Sequence, residues 1–303
     1  MPKRPKPEPA SQPTLFELQT ESAPPAPQNP ERNETHGILL GTSSFTAKGW
    51  EGIFYPAGMK SQDFLSHYAK QFRTVEIDST FYGTPKPSTV ENWKQRTPSD
   101  FIFALKIPQV ITHEKVLVGC EPEFDEFLET ISLLGEKLGP MLFQFPKFDQ
   151  WTLNKSEELI ARLDSFLCRV TNPALRFVVE IRNKNWLIAP LLDFLRSRNI
   201  ALALTDTTFV PRPWETKEPL NLVTADFAYV RWLGDRKGIE QVTTSWNRPI
   251  VDREPEIRRW VDFLNHMVLN KKLRKIFAFA NNHYAGHAPD TLRLFEKLWT
   301  ARK

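Results

Sequence analysis

Cysteine is nearly absent: Cys120 and Cys168 are the only two in 303 residues, and they lie far apart. That argues against a disulfide framework and a cysteine-built zinc site, and it suits a reducing compartment, so a cytoplasmic location is expected. Histidine is also scarce, with six in the chain. His36 sits beside an N-terminal segment, and His67 and His266 fall in helical patterns. Only His113, His283 and His287 follow strand candidates. A trinuclear zinc centre needs more ligands than these, and no metal or cofactor is assigned. No apolar run reaches membrane-spanning length, so no membrane association is expected. The basic N-terminus lacks the apolar stretch of a secretory signal. A glycine-rich first turn of the dinucleotide-binding type is missing too. Neither charge dominates. Forty Lys and Arg stand against 36 Asp and Glu, and the net charge of +4 permits an anionic partner without requiring one.

What the chain does have falls into two parts. Residues 1–35 are crowded with Pro, Glu, Ser and Gln and poor in apolar side chains, which predicts a disordered tail. One apolar island interrupts it, Gln12-Pro13-Thr14-Leu15-Phe16-Glu17-Leu18. Its Gln-x-x-Leu-Phe pattern resembles the short peptide by which bacterial proteins dock on the DNA sliding clamp. The resemblance implies a hydrogen bond from Gln12 and an apolar pocket for Leu15 and Phe16. The second part, residues 36–303, is an ordinary soluble composition and one large domain in size.

Eight short apolar runs in this domain predict strands, at 38–42, 74–79, 101–106, 141–145, 177–182, 200–206, 228–232 and 276–281. Helical patterns lie between most of them, at 63–72, 124–134, 157–167, 187–196, 256–269 and 291–299, with a further helix start at Pro87. Alternating strands and helices mean parallel pairing through crossovers. Eight such units predict an α/β TIM (β/α)8-type barrel, with an open doubly wound sheet as the alternative.

A barrel works at the C-terminal ends of its strands. The stretch Arg73-Thr74-Val75-Glu76-Ile77-Asp78-Ser79-Thr80-Phe81-Tyr82 shows why these ends stand out. Val75 and Ile77 take one face, and Glu76 and Asp78 take the other. The other ends supply Lys106, Gln144, Glu180 with Arg182, Asp206, Arg231, and Asn281-Asn282-His283. Such a ring is too polar for a filled core and reads as a site.

These residues also carry a resemblance. Gly41-Thr42-Ser43-Ser44, Trp50 with Phe54-Tyr55-Pro56, and the run ending at Tyr82 are similar to the family known as domain of unknown function 72, the YecE-like proteins. The similarity continues through Thr97-Pro98, Ile111-Thr112-His113, Gln144-Phe145-Pro146, Glu180-Ile181-Arg182 with Trp186, Tyr229-Val230-Arg231, and Asn281-Asn282-His283-Tyr284 with Gly286. It implies a TIM barrel and no reaction. Where relatives commonly carry His-Gly after the arginine, this chain has Leu233-Gly234.

The ring supports several chemistries. Glu76 and Glu180 are expected to act as acid and base, with His113 and His283 positioning substrate or shuttling protons. Asp78, Lys106, Gln144, Arg182, Asp206, Arg231, Asn281 and Asn282 are expected to bind substrate. Three cations favour an anionic ligand. The loop 281–289, with Gly286, fits phosphate capture after the last strand. Gly234 and Gly238 are expected to flank a mobile lid at 233–253. Trp50, Tyr55, Phe81, Tyr82, Trp186, Tyr229, Trp232 and Trp246 lie on or beside strand tops, where they suit stacking on bases or sugars. The expected function is a hydrolase or lyase acting on a nucleotide, a nucleic acid or another phosphorylated molecule. The alternatives are a non-catalytic nucleic-acid-binding barrel and a sugar-active enzyme using paired carboxylates.

Overall fold

The computed structural model describes residues 37–149, 151–216, 221–269 and 273–302. The peptide Gln12–Leu18 with its Leu15 and Phe16 lies outside them. Eight parallel strands form the sheet: β1 (Ile38–Thr42), β2 (Thr74–Ile77), β3 (Ile102–Lys106), β4 (Leu138–Gln144), β5 (Phe177–Glu180), β6 (Ala201–Thr207), β7 (Phe227–Gly234) and β8 (Lys275–Ala280). Their order is β1-β8-β7-β6-β5-β4-β3-β2, a nearly closed TIM barrel. Around it run α1 (Phe64–Gln71), α2 (Pro87–Gln95), α3 (Glu121–Ser132), α4 (Ser156–Leu167), α5 (Ala189–Ser197), α6 (Arg236–Glu240), α7 (Glu254–Leu269), α8 (Asn282–Ala285) and α9 (Ala288–Thr300). Among the described residues no helix is long and apolar enough to cross a membrane.

The alternation of each strand sorts its side chains between two cores. Leu39, Ala104, Leu142, Val178, Ala203, Tyr229 and Phe279 fill the barrel interior. Val75, Leu105, Phe143, Val179, Leu204 and Val230 face the helices. The helices answer with stripes of their own. In α9, Leu292, Phe295 and Trp299 recur at helical spacing, and all are buried.

The predicted runs become strands, with differences that have causes. β4 begins at Leu138, three residues earlier than its apolar run, because Gly139 allows a close approach. A Cβ there would meet the Phe103 carbonyl oxygen at 2.8 Å. Between β6 and β7 the described chain forms only a 3-10 turn, Pro213–Glu215, and Trp214 in that turn packs against Trp260 of α7 at 5.0 Å. α6 and α8 have five and four residues, too few for a helical period to register.

β1 and β2 stand at the two ends of the ladder order, and α1 closes the seam between them. The Tyr68 hydroxyl accepts from Thr42 N at 2.8 Å and donates to the Thr74 carbonyl at 3.1 Å. Gly41 permits the approach, since a Cβ there would lie 2.2 Å from the Thr74 carbonyl oxygen.

Candidate functional site

At the C-terminal end of the barrel, inward-facing side chains form a buried triad. Arg231 of β7 donates from Nε to Glu76 Oε2 at 2.9 Å and from Nη2 to Glu76 Oε1 at 2.8 Å, a two-pronged pair with β2. Its Nη1 donates to Glu180 Oε2 on β5. The Tyr229 hydroxyl adds a 2.6 Å bond to Glu76 Oε2. Glu76 is fully buried, and Glu180 and Arg231 are nearly so. Burial raises the Glu180 carboxyl, but Arg231 and Arg182 outweigh it and hold the group below the usual carboxylate range. An acid held ionised in this way is a poor proton donor at neutral pH.

Around the triad lies a second set of titratable groups with fewer ties. Lys106, at the tip of β3, is half-buried, and its Nζ sits 3.6 Å from the Phe81 ring centroid. Burial first, then the charges of Arg231 and Arg182, lower its ammonium to about 8 against the pull of Glu180 and Glu76. Half-buried Asp78, just past β2, is raised to about 6 by burial and by Glu76, against the pull of Lys106 and Arg231. His113 is lowered to about 4 by burial and by Lys106 and Arg182, so its imidazole is neutral at pH 7. Its ring packs edge-on to Phe81 at 4.8 Å, and Nδ1 lies 2.8 Å from the Thr112 hydroxyl, while Nε2 has no hydrogen-bond partner among the described residues. Arg182 lies 3.4 Å from Glu180 Oε1 and stacks over Phe209 at 4.8 Å. Among the described residues neither Lys106 nor Asp78 makes an ion pair.

The loop bearing His113 is strained. His113 belongs to a π-helical turn, Val110–Glu114. Directly after it, Val116 (φ 45°) and Leu117 (φ 66°) sit in the left-handed region that β-branched and bulky residues avoid. Strain of this kind persists only where surrounding packing holds it, and both side chains are buried. Tyr82 is 71% exposed and Trp151 86% exposed, which leaves two flat rings open to solvent on the β2 and β4 loops.

Gln144 sits on the inner face beside Glu180 in the β4–β5 register and donates Nε2 to the Phe145 carbonyl at 2.6 Å. Asn281 caps α8, accepting from His283 N at 3.0 Å. Other expected members are turned elsewhere. Asp206 shares its strand face with Leu202 and Leu204, so it points to the helices, where Arg212 Nε (2.8 Å), Trp260 Nε1 (2.9 Å) and the Tyr284 hydroxyl (2.9 Å) all donate to it. It belongs to the outer layer and not to the mouth. Asn282 accepts from Trp50 Nε1 at 3.2 Å and from Ala288 N at 2.9 Å, tying the β1 loop to α9. His283 Nε2 lies 3.0 Å from Glu240 of α6, and its ring packs on Trp246 at 4.7 Å.

Two glycines that the sequence singled out are packed against other backbone. A Cβ at Gly286 would meet the Arg248 carbonyl oxygen at 2.6 Å. The segment after β7 is pinned at several points, with Ile250 N on Ala285 O at 2.6 Å, Trp246 N on Lys48 O at 3.0 Å, and Gly234 pressed against the His283 backbone. Gly238 lies inside α6, whose cap Asp235 accepts its N–H at 3.2 Å.

Sequence reasoning missed the Tyr229 hydroxyl as a partner of Glu76, although Tyr229 and Arg231 share a strand face and parity would have paired them. It also missed Ser43 and Thr205, whose buried hydroxyls have no hydrogen-bond partner among the described residues. Among the described residues no group of three His, Cys, Asp or Glu is placed to hold a metal ion.

Residues 39–303 match the family described as protein of unknown function DUF72. The chain is 26% identical over 268 residues to the UPF0759 protein YunF of Bacillus subtilis, covering 80% of this chain and 89% of that protein. It is 38% identical over 82 residues to the UPF0759 protein YecE of Escherichia coli, a match that spans 27% of this chain and only 30% of that protein. Among solved structures, a DUF72 family protein of Thermotoga maritima is similar with a TM-score of 0.67 and 26% identity, covering 88% of this chain and 100% of that one. A xylose isomerase domain containing protein of Salmonella typhimurium shares the fold alone, at a TM-score of 0.50 and 12% identity over 89% of this chain and 97% of that one. By sequence over its whole described barrel and by fold, the chain belongs to the DUF72 family, the UPF0759 proteins.

Proposed function

We propose that the barrel mouth is the active site of a hydrolase or lyase for a phosphate-bearing substrate, a nucleotide or nucleic acid. In this reading Asp78 and Lys106 exchange protons with substrate. Glu76, Arg231 and Glu180 are the rigid floor beneath them. The observation that carries it is the pair of half-buried titratable groups, Asp78 at about 6 and Lys106 at about 8, left without ion pairs over a triad that satisfies itself. Groups whose surroundings push them toward neutrality from both sides are suited to proton transfer at pH 7. Arg182, only loosely paired, grips the phosphate, and His113 offers a neutral ring nitrogen. Tyr82, Trp151 and Phe209 supply exposed rings for a base to stack on. The sugar-active alternative loses ground here, because Glu76 and Glu180 share one guanidinium and Glu180 is held ionised by it.

The test is a turnover screen of the full chain on p-nitrophenyl phosphate, bis-p-nitrophenyl phosphate, the 5′-nucleotides and a single-stranded oligonucleotide. Turnover on one of these, with Asp78→Asn and Lys106→Met each reducing it by about a hundredfold or more, is the expected result. Binding of the oligonucleotide without turnover of any substrate points to a binding barrel instead. Turnover that survives both substitutions removes the assignment.

A further inference from the structure

Lys106 differs from its neighbours in having nothing to hold. Lys94 Nζ donates to the Leu133 carbonyl at 2.9 Å, Lys115 Nζ to the Gly119 carbonyl at 3.0 Å, and Lys137 Nζ to the Thr97 carbonyl at 2.6 Å. Among the described residues the Lys106 Nζ has neither a hydrogen bond nor an ion pair, only the face of Phe81 at 3.6 Å. An ammonium half removed from water, with a ring face against it but no acceptor, costs more than a neutral amine in the same place. The groups acting on it are Glu76 from β2, Glu180 and Arg182 from β5 and just beyond, and Arg231 from β7. Asp78 and His113 in turn respond to its charge. With the ammonium lowered to about 8, the neutral fraction at pH 7 is roughly two- to three-hundredfold above that of an ordinary lysine. The fold gives this amine a fixed address. It ends an inward-facing row, with Ile102 and Ala104 beneath it.

We propose that Lys106 is a nucleophile that forms an imine with an aldehyde or ketone carbon of a phosphorylated sugar, which makes the enzyme a lyase. The proposal rests on the reading of the mouth as an anion-binding acid–base site and narrows it.

The step balances within the site. The Nζ lone pair forms a C–N bond at the carbonyl carbon, and the C=O π pair moves onto oxygen. Protonated Asp78 gives that oxygen a proton, and its carboxylate takes one from nitrogen, leaving a carbinolamine. Asp78 then protonates the hydroxyl, and the C–O bond breaks with its electron pair going to the departing water. The nitrogen lone pair closes the C=N bond. One amine, one carbonyl and one protonated Asp78 become one iminium, one water and one carboxylate. The iminium draws electrons from the adjacent carbon, which permits cleavage or elimination there, while Arg182 holds the phosphate.

Reductive trapping tests this on the full chain. The protein is incubated with sodium cyanoborohydride and either D-ribose 5-phosphate or an oligonucleotide containing an abasic site, and the adduct is located by intact mass and peptide mapping. A single adduct on Lys106, lost in Lys106→Arg and slowed about tenfold in Arg182→Gln, is expected. The probe that traps faster tells a free sugar phosphate from one in nucleic acid. No adduct with either probe, or adducts spread over exposed lysines such as Lys86 and Lys147, overturns the proposal. Competitive reductive methylation of the unaltered protein across pH reads the amine directly and does not depend on a variant folding. A labelling midpoint near that of an ordinary lysine, about 10.4, also overturns it. If Asp78→Asn abolishes turnover while nothing is trapped, the imine falls and the acid–base site stands.

Discussion

Arg231 is bonded to two carboxylates that no other cation among the described residues reaches as closely. Their enclosure makes the arginine a structural keystone before it is anything else. Arg231→Leu leaves buried Glu76 with no cation, only the Tyr229 hydroxyl, and leaves Glu180 with only the looser Arg182 contact at 3.4 Å. A loss of about 3–5 kcal/mol in unfolding free energy is expected from urea denaturation. A loss below about 1 kcal/mol would mean that water reaches the carboxylates. The carboxyls around this arginine pull stability in opposite directions with pH. Glu180 is depressed in the folded state, so its contribution is present above its unfolded value of about 4.3 and fades as the pH falls through the folded one. Asp78 is raised to about 6, so folding is favoured below its unfolded value near 3.8 and that advantage is lost as the pH rises through 6. Asp78→Asn is therefore expected to stabilise the protein by about 1–2 kcal/mol at pH 8 and by almost nothing at pH 4, after discounting for partial exposure. Equal effects at both pH values would place Asp78 in water.

At the scale of elements, the barrel closes between β1 and β2 through a side chain and not a ladder. Tyr68→Phe removes the hydroxyl that serves both Thr42 and Thr74, at a cost of about 1–3 kcal/mol. Hydrogen exchange is expected to quicken at Thr42 and its neighbours in β1 while β6 and β7 keep their protection. Uniform quickening across all strands would show that the seam is not a local weak point. The elements also show how far pattern reading reaches. All eight strands were legible because apolar runs bounded by turn residues survive any tertiary context. Strand ends were less so. Asp206 ends a strand as Glu180 does, yet β6 turns it outward to Trp260 and Tyr284. Its parity with Leu202 and Leu204 was in the sequence, but position at a strand end outweighed it. α6 and α8 exist because Asp235 and Asn281 cap them and neighbouring loops pin them, and these contacts are non-local.

For the molecule as a whole, the charge at the mouth sets what it attracts. Lys106, Arg182 and Arg231 face Glu76 and Glu180, and Asp78 adds negative charge only above about pH 6. Lys106 gives up its own charge above about pH 8. Affinity for inorganic phosphate or a 5′-nucleotide, followed by calorimetry, is thus expected to weaken in two steps as the pH rises through 6 and 8. It should also weaken with salt. A flat pH profile would remove the anionic assignment. The tail has its own test. A peptide of residues 12–18 is expected to bind a purified bacterial sliding clamp, and replacing Leu15 and Phe16 with Ala should abolish binding. An unaltered affinity would discard that partner.

The order of strands and helices, the barrel class and the two faces of each strand were determined by the sequence alone, because periodicity and turn chemistry are local properties of a chain. Which carboxylates are shared and which amine is left without a partner were decided only in three dimensions. A charge's protonation and its availability depend on neighbours delivered by other strands. Glu76 and Arg231 lie 155 positions apart in the chain and 2.8 Å apart in space.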